Sequence, residues 1–305
     1  MATPRSVDDA VPNLTVQQLQ YLVAVADAPT WAVAAAEVGV TPSALSQGLA
    51  ELERRVGLVL FERDGRRRVL APTAAPVLAH ARDVLARTVD LARFTRQLGE
   101  GRGGALRVGM IDAAVVEHFP HTLRRFLAGR PDLDLRLTVT SSAGLLGLLR
   151  RAELDLVVCV EPPGLAESIV TRPLTSEPLF VHAPDAPALD RPLAEWGPWV
   201  TFPAGAHTRV LIQRALRRLG APFDVVADSH QPEVLREMVA VGLGWTVLPA
   251  LARTPDTTNL AVGPAIAERR LVVARRAEAV PNPAGEALEA ALHNAVARSE
   301  VDDRG

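Results

Sequence analysis

The chain has 305 residues, of which 48% are hydrophobic and 22% charged, and its formal net charge is −2. This length predicts two or three domains with ample core, and no apolar run reaches the ~18–20 residues that a membrane span needs. A single cysteine, Cys159, excludes an internal disulfide framework and any cysteine-based zinc cluster, and the acidic pair Asp8-Asp9 does not fit an export signal. We therefore expect a cytoplasmic protein without membrane contact.

A helix–turn–helix pattern covers residues 30–56. An alanine-rich helix is followed by Gly39, which supplies a left-handed turn, and by Thr41, a helix-capping residue. On the second helix the apolar residues recur every three or four positions and predict one buried face: Leu45, Leu49, Leu52 and Val56. Polar residues near its N-terminus lie off that face: Ser43, Ser46 and Gln47. The pattern is typical of a recognition helix in a DNA major groove, and an ordinary helical bundle is the alternative.

The segment after this helix predicts an arginine-rich β-hairpin. Asp64 and Gly65 form its turn, and three consecutive arginines follow at residues 66–68. Six arginines lie within residues 54–68, whereas residues 105–305 carry 21 arginines against 24 acidic residues. Guanidinium groups on a hairpin suit phosphate contacts or insertion into a minor groove. The local basic charge therefore indicates a DNA-binding wing, with a solvated charged loop as the alternative.

Residues 73–98 predict one long helix of roughly 39 Å, with a narrow apolar stripe between charged flanks. Such a stripe favours pairing with a second copy of the chain, and palindromic DNA sites require two-fold symmetry. The predicted dimer contacts are Leu78, Leu85 and Val89. The alternative is a spacer packed on its own protein. The glycine-rich residues 99–104 predict a hinge.

Beyond residue 105 the pattern changes to strands that alternate with helices. The predicted strands are 105–111, 133–139, 154–160, 179–183, 199–202, 223–227, 245–248 and 271–274. The predicted helices are 115–127, 143–151, 207–219, 233–241 and 283–297. This order predicts βαβ units and a mostly parallel sheet, hence an α/β fold. Two such series predict two lobes around a cleft: lobe I at about 105–178 and 275–305, and lobe II at about 179–274.

The chain resembles the LysR-type transcriptional regulators. The resemblance rests on the motifs LQYLVAV (19–25), AAAEVGVTPSALSQ (34–47), LERRVG (52–57), LFER (60–63), ALRVG (105–109), ELDLVV (153–158) and VGLGWTVLP (241–249). It implies a winged helix-turn-helix over residues 14–72, a dimerisation helix at 73–98 and a two-lobed effector domain at 105–305, shaped like periplasmic binding proteins. Members commonly assemble as dimers of dimers, so the resemblance implies self-association as a dimer or a tetramer. The resemblance places base contacts on the recognition helix, and the hairpin arginines add phosphate contacts. The predicted DNA contacts are therefore Pro42, Ser43, Ser46, Gln47, Arg63, Arg66, Arg67 and Arg68.

Three positions depart from the family's pattern. Gly48 lies inside the recognition helix, where glycine costs roughly 1 kcal/mol relative to alanine, although it would permit a close approach to the phosphate backbone. Residues 71–74 (APTA) replace the usual Thr-Pro-x-Gly after the wing, which bears on the bend into the long helix. Asp112 stands at the end of the first effector strand, where the family often has Ser or Thr.

The effector cleft is predicted from sheet geometry. In open parallel sheets a ligand binds beyond the carboxyl ends of the strands, often against helix N-termini. The residues at these positions are Asp112, Ser141, Ser142, Phe202, His207, Thr208 and Ser229. Ser142 and Thr208 suit an anion, whereas Asp112 suits an amine or a hydroxyl, so a polar metabolite such as an amino acid fits both. The alternative for Asp112 is a cap on the next helix.

Other functions have little support in the sequence. His207 and His230 lack the paired spacing of a metal site, and Cys159 on an apolar strand is more typical of core packing than of redox sensing. No nucleophile elbow or phosphate-binding glycine loop is present. We expect a non-enzymatic transcriptional regulator without a cofactor, whose partners are double-stranded DNA, a small-molecule effector and further copies of itself. An architectural DNA-binding protein and an enzyme fused to a DNA-binding module are the alternatives.

Overall fold

The computed structural model describes residues 13–64, 67–100, 104–164, 167–249 and 260–302. The chain divides into two compact units, residues 1–95 and 96–305. The N-terminal unit is helical with one hairpin, and the C-terminal unit alternates strands with helices, as predicted. Within the described ranges, no helix combines the length and apolarity needed to cross a membrane.

Three helices begin the N-terminal unit: α1 (Val16–Asp27), α2 (Trp31–Glu37) and α3 (Pro42–Val56). Each follows a threonine whose hydroxyl accepts a backbone N–H three residues further on: Thr15, Thr30 and Thr41. In the turn between α2 and α3, Gly39 has a φ of +70°, a left-handed conformation that favours glycine. These signals are local, which is why the helix-turn-helix is predictable from sequence.

A hairpin of β1 (Phe61–Asp64) and β2 (Arg67–Leu70) follows, and then the long helix α4 (Ala74–Glu100). The core of this unit contains fully buried leucines: Leu22, Leu45, Leu49, Leu52 and Leu60. Ala74 and Ala81 of α4, each 1% exposed, pack against that core. The predicted hinge at 99–104 is corrected at its start, because the helix includes residues 99 and 100; residues 101–103 lie outside the described residues.

The C-terminal unit contains, in chain order, β3 (Ala105–Met110), α5 (Pro120–Ala128), β4 (Asp134–Val139), α6 (Ser142–Arg150), β5 (Leu156–Val160), β6 (Ile169–Ala183), α7 (Ala186–Leu189), β7 (Trp199–Thr201), α8 (His207–Leu219), β8 (Val225–Asp228), α9 (Pro232–Ala240), β9 (Thr246–Pro249), β10 (Ala261–Arg276) and α10 (Pro283–Asp302). The predicted helix 115–127 is in two pieces. A π-helical turn at Ala114–His118 precedes α5, because Pro120 has no N–H with which to continue the first piece.

Two long strands cross the whole unit. β6 and β10 have 15 and 16 residues and pair antiparallel along their length. Only residues 179–183 and 271–274 of them were predicted. Residues 261–267 of β10 (AVGPAIA) are apolar but are interrupted by Gly263 and Pro264, and most of the other unpredicted positions are polar or exposed. The prediction of a mostly parallel sheet is also corrected. β10 is antiparallel to β5, and β6 is antiparallel to β9, so the sheet is mixed.

The crossing strands also correct the predicted lobe boundary. Residues 271–274 of β10 pair with β5 and belong to the core of lobe I, which was predicted to resume only at 275. Lobe I has the strand order β4-β3-β5-β10-β6. Lobe II has the order β8-β7-β9-β6-β10, with β7 joined to β9 by the bridge between Trp199 and Trp245. The two orders correspond, a repeat of topology that the sequence does not reveal.

The pairing register brings the carboxyl ends of the parallel strands of both lobes to the point where β6 and β10 cross from one lobe to the other. Val160, at the carboxyl end of β5, pairs with Leu271, and Pro249, at the carboxyl end of β9, pairs with Leu179. Leu179 and Leu271 flank the point where β6 and β10 pass between the two separate cores. The carboxyl ends of the parallel strands therefore face the space between the lobes, where open sheets bind ligands.

Candidate nucleic-acid interface and effector cleft

The N-terminal face of α3 presents the predicted base contacts. Pro42, Ser43 and Gln47 are exposed and Ser46 is half-buried, while the buried side of the helix holds its leucines. The Thr41 hydroxyl caps the helix and lies 3.0 Å from the Ser43 hydroxyl. The helix therefore offers hydroxyl and amide groups on a surface fixed by the cap.

Gly48 serves packing within the unit. A Cβ at this position would lie 2.7 Å from the ring carbons Cδ2 and Cε2 of Tyr21, a side chain that is 7% exposed. Gly48 therefore permits a close approach of α1 to α3, and the close approach to the phosphate backbone stays a prediction. Any larger side chain must displace a buried ring.

The hairpin holds the predicted wing arginines in different ways. Asp64 pairs with Arg67 and Arg63 with Arg68 across β1 and β2. Arg63 is exposed and has no ion pair among the residues that the structure describes, so its guanidinium is available to a phosphate. Arg67 begins β2 beside the tip, and Arg66 lies outside the described residues.

Arg68 is occupied inside the unit. Its Nη2 donates to Glu53 Oε2 at 3.0 Å, and its guanidinium lies 5.0 Å from the ring centroid of Trp31 and 5.1 Å from that of Phe61. The backbone carbonyl of Arg68 accepts from Trp31 Nε1 at 3.3 Å. These contacts attach the wing to α2 and α3, and the phosphate contact predicted for Arg68 stays a prediction.

Glu53 is the residue that sequence analysis missed in this unit. One of its carboxylate oxygens accepts the backbone N–H groups of Leu60 and Phe61 at 2.8 and 3.1 Å, and the other accepts from Arg68. The carboxylate thus fixes the entry to β1 and the second strand at once. Glu53 lies in the motif LERRVG (52–57), but its partners lie 7 to 15 residues further along the chain. No helical periodicity predicts contacts at those separations.

Arg54 and Arg55 are also paired locally. Both donate to Glu51, at 2.5 and 2.6 Å, on the C-terminal half of α3. Hydrogen bonds from Arg54 and then Arg55 lower the pKa of Glu51 to about 2. Of the six arginines at 54–68, three are therefore matched with carboxylates of α3: Arg54, Arg55 and Arg68.

The predicted dimer residues of α4 divide between two faces. Leu78 and Leu85 are half-buried and pack against the core of their own unit, and the dimer contacts predicted for them stay a prediction. Val89 remains 38% exposed, and a separate stripe is exposed along the helix: Val84, Thr88, Leu91 and Thr95. The hydroxyls of both threonines donate to backbone carbonyls one turn earlier, so the stripe has satisfied polar groups and an apolar surface.

The end of β5 brings three predicted effector residues together. Ser142 is 8% exposed, and its hydroxyl accepts the backbone N–H of Val160 at 3.2 Å. His207, the first residue of α8 in lobe II, has Nδ1 3.3 Å from the carbonyl oxygen of the same Val160. Ser141 caps α6 by accepting from Gly144 at 3.3 Å. A direct hydrogen bond between His207 and Val160 thus joins the two lobes.

The other three predicted residues lie on lobe II. Phe202 and Thr208 are buried, and the Phe202 carbonyl accepts from Arg209 Nη1 at 3.2 Å. The Ser229 hydroxyl accepts the backbone N–H of Gln231 at 3.1 Å, which shapes the approach to α9. These residues form the wall of lobe II at the carboxyl ends of β7 and β8.

Asp112 does not cap the helix that follows it. No side-chain capping bond begins the π-helical turn, and the Asp112 carboxylate accepts no hydrogen bond within the described part of the chain. Burial, and then the charge of Glu233 in the first turn of α9, raise its pKa. Burial, together with the charges of Glu177 and Glu233, also raises the pKa of Glu117. The charge of Glu233 in lobe II therefore contributes to the raised pKa values of Asp112 and Glu117 in lobe I.

A buried ion pair lies where the crossing strands meet. Arg269 of β10 donates through Nε to Glu177 of β6 at 2.5 Å, and His118 Nε2 lies 3.3 Å from the other oxygen of Glu177. Burial alone would raise the pKa of Glu177, but the hydrogen bond from His118 and the charge of Arg269 lower it overall. Arg269 is 3% exposed, and its Nη2 has no hydrogen-bond partner among the described residues.

Metal and thiol chemistry have little support. In the ranges that the structure describes, no group of three or more His, Cys, Asp or Glu side chains is arranged to hold a metal ion. Cys159 is fully buried in the core of lobe I, where burial raises the pKa of its thiol to about 12. A thiol so disfavoured as a thiolate is a core residue rather than a reactive one.

Comparison with known proteins covers both units. Residues 16–75 match the family model described as bacterial regulatory helix-turn-helix protein, lysR family, and residues 99–297 match the LysR substrate binding domain. The HTH-type transcriptional regulator CbbR of Rhodospirillum rubrum is 29% identical over 81% of this chain and 82% of its own length. The transcriptional dual regulator OxyR of Escherichia coli (strain K12) is 28% identical over 80% and 81%.

A solved structure supports the fold along nearly the whole chain. Full-length CbnR complexed with its target DNA has a TM-score of 0.53 and 20% sequence identity, and the match covers 94% of this chain and all of that one. The likeness concerns the fold alone.

Proposed function

The chain belongs to the LysR family of bacterial transcriptional regulators, and from this premise we propose how its residues bind DNA, self-associate and respond to an effector. As a member it combines a DNA-binding helix-turn-helix with an effector-binding domain. The observation that carries the DNA proposal is the exposed polar N-terminal face of α3, held by the Thr41 cap. Such a face places side chains against base edges in a major groove.

In this proposal the base contacts are Pro42, Ser43, Ser46 and Gln47, and the wing supplies phosphate contacts from Arg63, Arg66 and Arg67. Arg68 positions the wing. The test is fluorescence anisotropy on a labelled operator fragment and on a scrambled fragment of equal length. Gln47→Ala should reduce discrimination between the two by ~1–3 kcal/mol, because a bidentate amide contact reads a base. Equal weakening on both fragments would contradict the assignment.

Self-association is proposed to use the exposed stripe of α4, in addition to the contacts predicted at Leu78 and Leu85. Val84→Glu with Leu91→Glu should convert the oligomer to monomer, because two carboxylates in an apolar seam cost several kcal/mol. Analytical ultracentrifugation of the full chain measures this, with Ala79→Glu, an exposed position away from the stripe on the same helix, as the charge control. An unchanged sedimentation coefficient would contradict the proposal. Dimers suit a palindromic operator, and whether they pair into tetramers is read in the same experiment.

The effector is proposed to be a small polar molecule, such as an amino acid, bound between the lobes. The support is the convergence of the carboxyl ends of β5 and β9 on that space and the hydrogen bond from His207 to Val160, which bridges the lobes. Closure of two lobes on a ligand would alter the geometry presented to DNA. His207→Ala should change effector affinity while leaving DNA binding without effector intact, as measured by calorimetry and anisotropy. An architectural protein would show no ligand response at all.

Catalysis and peroxide sensing are not part of the proposal. The relatives named above are transcriptional regulators, and we propose a non-enzymatic role in the cytoplasm, where the chromosome is accessible. One solved relative is the hydrogen-peroxide-bound form of an OxyR variant from Corynebacterium glutamicum. In this chain the single cysteine is buried with its pKa raised to about 12, so a thiolate-based response would have to act through an inaccessible group.

A further inference from the structure

We propose that a groove between α8 and β10 is a second ligand site, which binds a small organic phosphate and lies apart from the effector cleft. Its cavity has a volume of about 450 Å³, within the usual range of small-molecule sites. The residues that line it are Leu211, Arg214, Arg217, Arg218, Ala267 and Glu268. The site adds a ligand to the proposed function and does not depend on the chemistry of the effector.

The lining residues of α8 lie on one side of the helix. Leu211, Arg214 and Arg218 recur at spacings of three and four residues, which brings them to one face. Arg217 lies beside them, and all three arginines are exposed. Ile212, on another side of the helix, is fully buried in the core of lobe II and fixes the orientation of α8. The packing of the helix thus presents the arginines together to the groove.

These three arginines have no ionic partner in the part of the chain that the structure describes, whereas Arg270 of β10 is paired with Glu161 at 3.1 Å. Arg214 lies one turn before Arg217 and Arg218, and like charges at such spacings destabilise a helix. The groove therefore holds positive charge that the fold itself leaves unpaired, and an incoming anion would remove the repulsion.

The helix dipole accounts for only part of this charge. Arg217 and Arg218 lie in the last turn of α8, where cations interact favourably with the negative end of the helix. That effect is confined to the last turn, so it does not account for Arg214. Glu268 is the acidic residue of the lining, and three arginines against one glutamate leave a charge of +2.

The lining indicates the class of ligand. Guanidinium groups bind phosphate oxygens through paired hydrogen bonds, and several of them within one helical turn suit a phosphate group. Leu211 and Ala267 are half-buried and supply an apolar surface for an organic part of the ligand. A concave site of this size is typical of a small molecule, whereas DNA or an acidic protein segment would contact a more extended surface.

The groove is separate from the effector cleft along the same helix. His207, the first residue of α8, is at the cleft, where its Nδ1 lies 3.3 Å from the Val160 carbonyl oxygen. Arg214 and Arg218 follow it by roughly 10 and 16 Å along the helix axis. One helix therefore carries a cleft residue at its start and the anion site in its second half.

The test uses full-length protein and three organic phosphates with different organic parts: adenosine 5′-diphosphate, fructose 1,6-bisphosphate and glycerol 3-phosphate. Adenosine and pyrophosphate are the controls for the organic part and for the charge. Thermal shift at low salt identifies binders, because salt screens exposed charges, and calorimetry gives their affinities. We expect at least one organic phosphate to bind, and to bind more tightly than pyrophosphate or adenosine. Binding by none of the three, or tighter binding of pyrophosphate than of all three, would overturn the proposal.

Arg214→Ala assigns the ligand to the groove, and Arg124→Ala, which changes an exposed arginine of α5, is the matched control. The first should weaken the best organic phosphate about 10- to 100-fold, the usual range for a charged hydrogen bond, and the second should not change it. Glu268→Gln should strengthen binding, because it removes the carboxylate that repels the phosphate. Equal affinities in Arg214→Ala and Arg124→Ala, or weaker binding in Glu268→Gln, would contradict the assignment.

Operator binding at several salt concentrations separates a small-molecule site from a DNA contact. Arg214→Ala should leave the operator affinity and its salt slope unchanged. A smaller slope would make this arginine a contact to DNA phosphate and overturn the assignment to a small molecule, while the contacts proposed for α3 would stand. Failure of the wild-type protein to bind any operator would instead remove the proposed function without affecting the phosphate titrations.

Discussion

The charges of the wing and those of the effector cleft are organised in opposite ways. Around the wing, Glu51 is matched by Arg54 and Arg55, and Glu53 by Arg68. Between the lobes, Asp112 has no ion-pair partner in the described residues, and burial and then the charge of Glu233 raise its pKa. A charged side chain that forms an ion pair within the fold positions a structural element, whereas one without a partner is available to bind another molecule.

The ion pair between Glu177 and Arg269 lies beside the cleft but positions the crossing strands. Of the changes predicted here, its removal should have the largest effect on stability. Glu177→Gln leaves the buried Arg269 without its counter-charge and should lower the free energy of unfolding of the C-terminal unit by about 3–5 kcal/mol. Urea unfolding followed by tryptophan fluorescence measures this, with the exposed neighbour Glu268→Gln as control.

The pH dependence of that difference has a defined sign. The pKa of Glu177 is lowered in the folded state, so its contribution is present above the unfolded carboxyl pKa of about 4.3 and is lost as pH falls through the folded value. The gap between wild type and Glu177→Gln should therefore narrow at acidic pH. A gap that widens there would contradict the pairing.

Glu53→Ala should break the positioning function of the wing charges. It removes the acceptor for the Leu60 and Phe61 N–H groups and the partner of Arg68, so we expect a loss of about 2–3 kcal/mol. Trp31 contacts the same cluster and is the tryptophan of residues 1–95, so its fluorescence reports the change selectively. Glu62→Ala, an exposed residue of β1, should cost less than about 0.5 kcal/mol. If Glu53→Ala and Glu62→Ala lost similar amounts of stability, the effect would not be specific to the contacts of Glu53.

Arg63→Ala and Arg68→Ala sharpen the distinction between contact and positioning. Arg63→Ala should weaken binding to any DNA by about 1 kcal/mol and reduce the slope of log affinity against log salt by ~0.9, the value of one phosphate contact. Arg68→Ala should weaken binding with an unchanged slope and a lower melting temperature, because Arg68 is held by Glu53 and the rings of Trp31 and Phe61. Anisotropy titrations from ~50 to 200 mM salt measure both slopes. A smaller slope for Arg68→Ala would confirm it as a phosphate contact.

Asp112→Asn should have the smallest effect, and it has the opposite sign. Because the pKa of Asp112 is raised in the folded state, its charge opposes folding above that pKa. At pH 7 the melting temperature of the variant should therefore be higher than that of wild type by up to about 2 °C, a figure that allows for solvent screening. Below the ordinary pKa of aspartate the two melting temperatures should be equal. Scanning calorimetry of the ligand-free protein at both pH values measures this. A destabilised variant at pH 7 would mean that the Asp112 carboxylate is already paired.

The sequence by itself determined the elements whose signals are local. Thr41 caps α3, Gly39 turns the chain, and the leucine spacing identifies the buried face, so the helix-turn-helix and its exposed Ser43 and Gln47 could be predicted from neighbouring residues. The buried strand β5 was predictable because all five of its positions are buried, which requires an apolar run.

Only the tertiary structure decided which residues are partners over long distances. Half-exposed crossing strands have no apolar pattern, so β6 and β10 were found only in part, and with them the pairing of Glu177 with Arg269, 92 residues apart. The same limit applies to Arg68, which was predicted as a phosphate contact from its place in a basic run. Charge in a sequence shows how many ionic groups exist, but pairing depends on side chains that folding brings together, and that pairing separates the arginines that position the wing from those left for DNA.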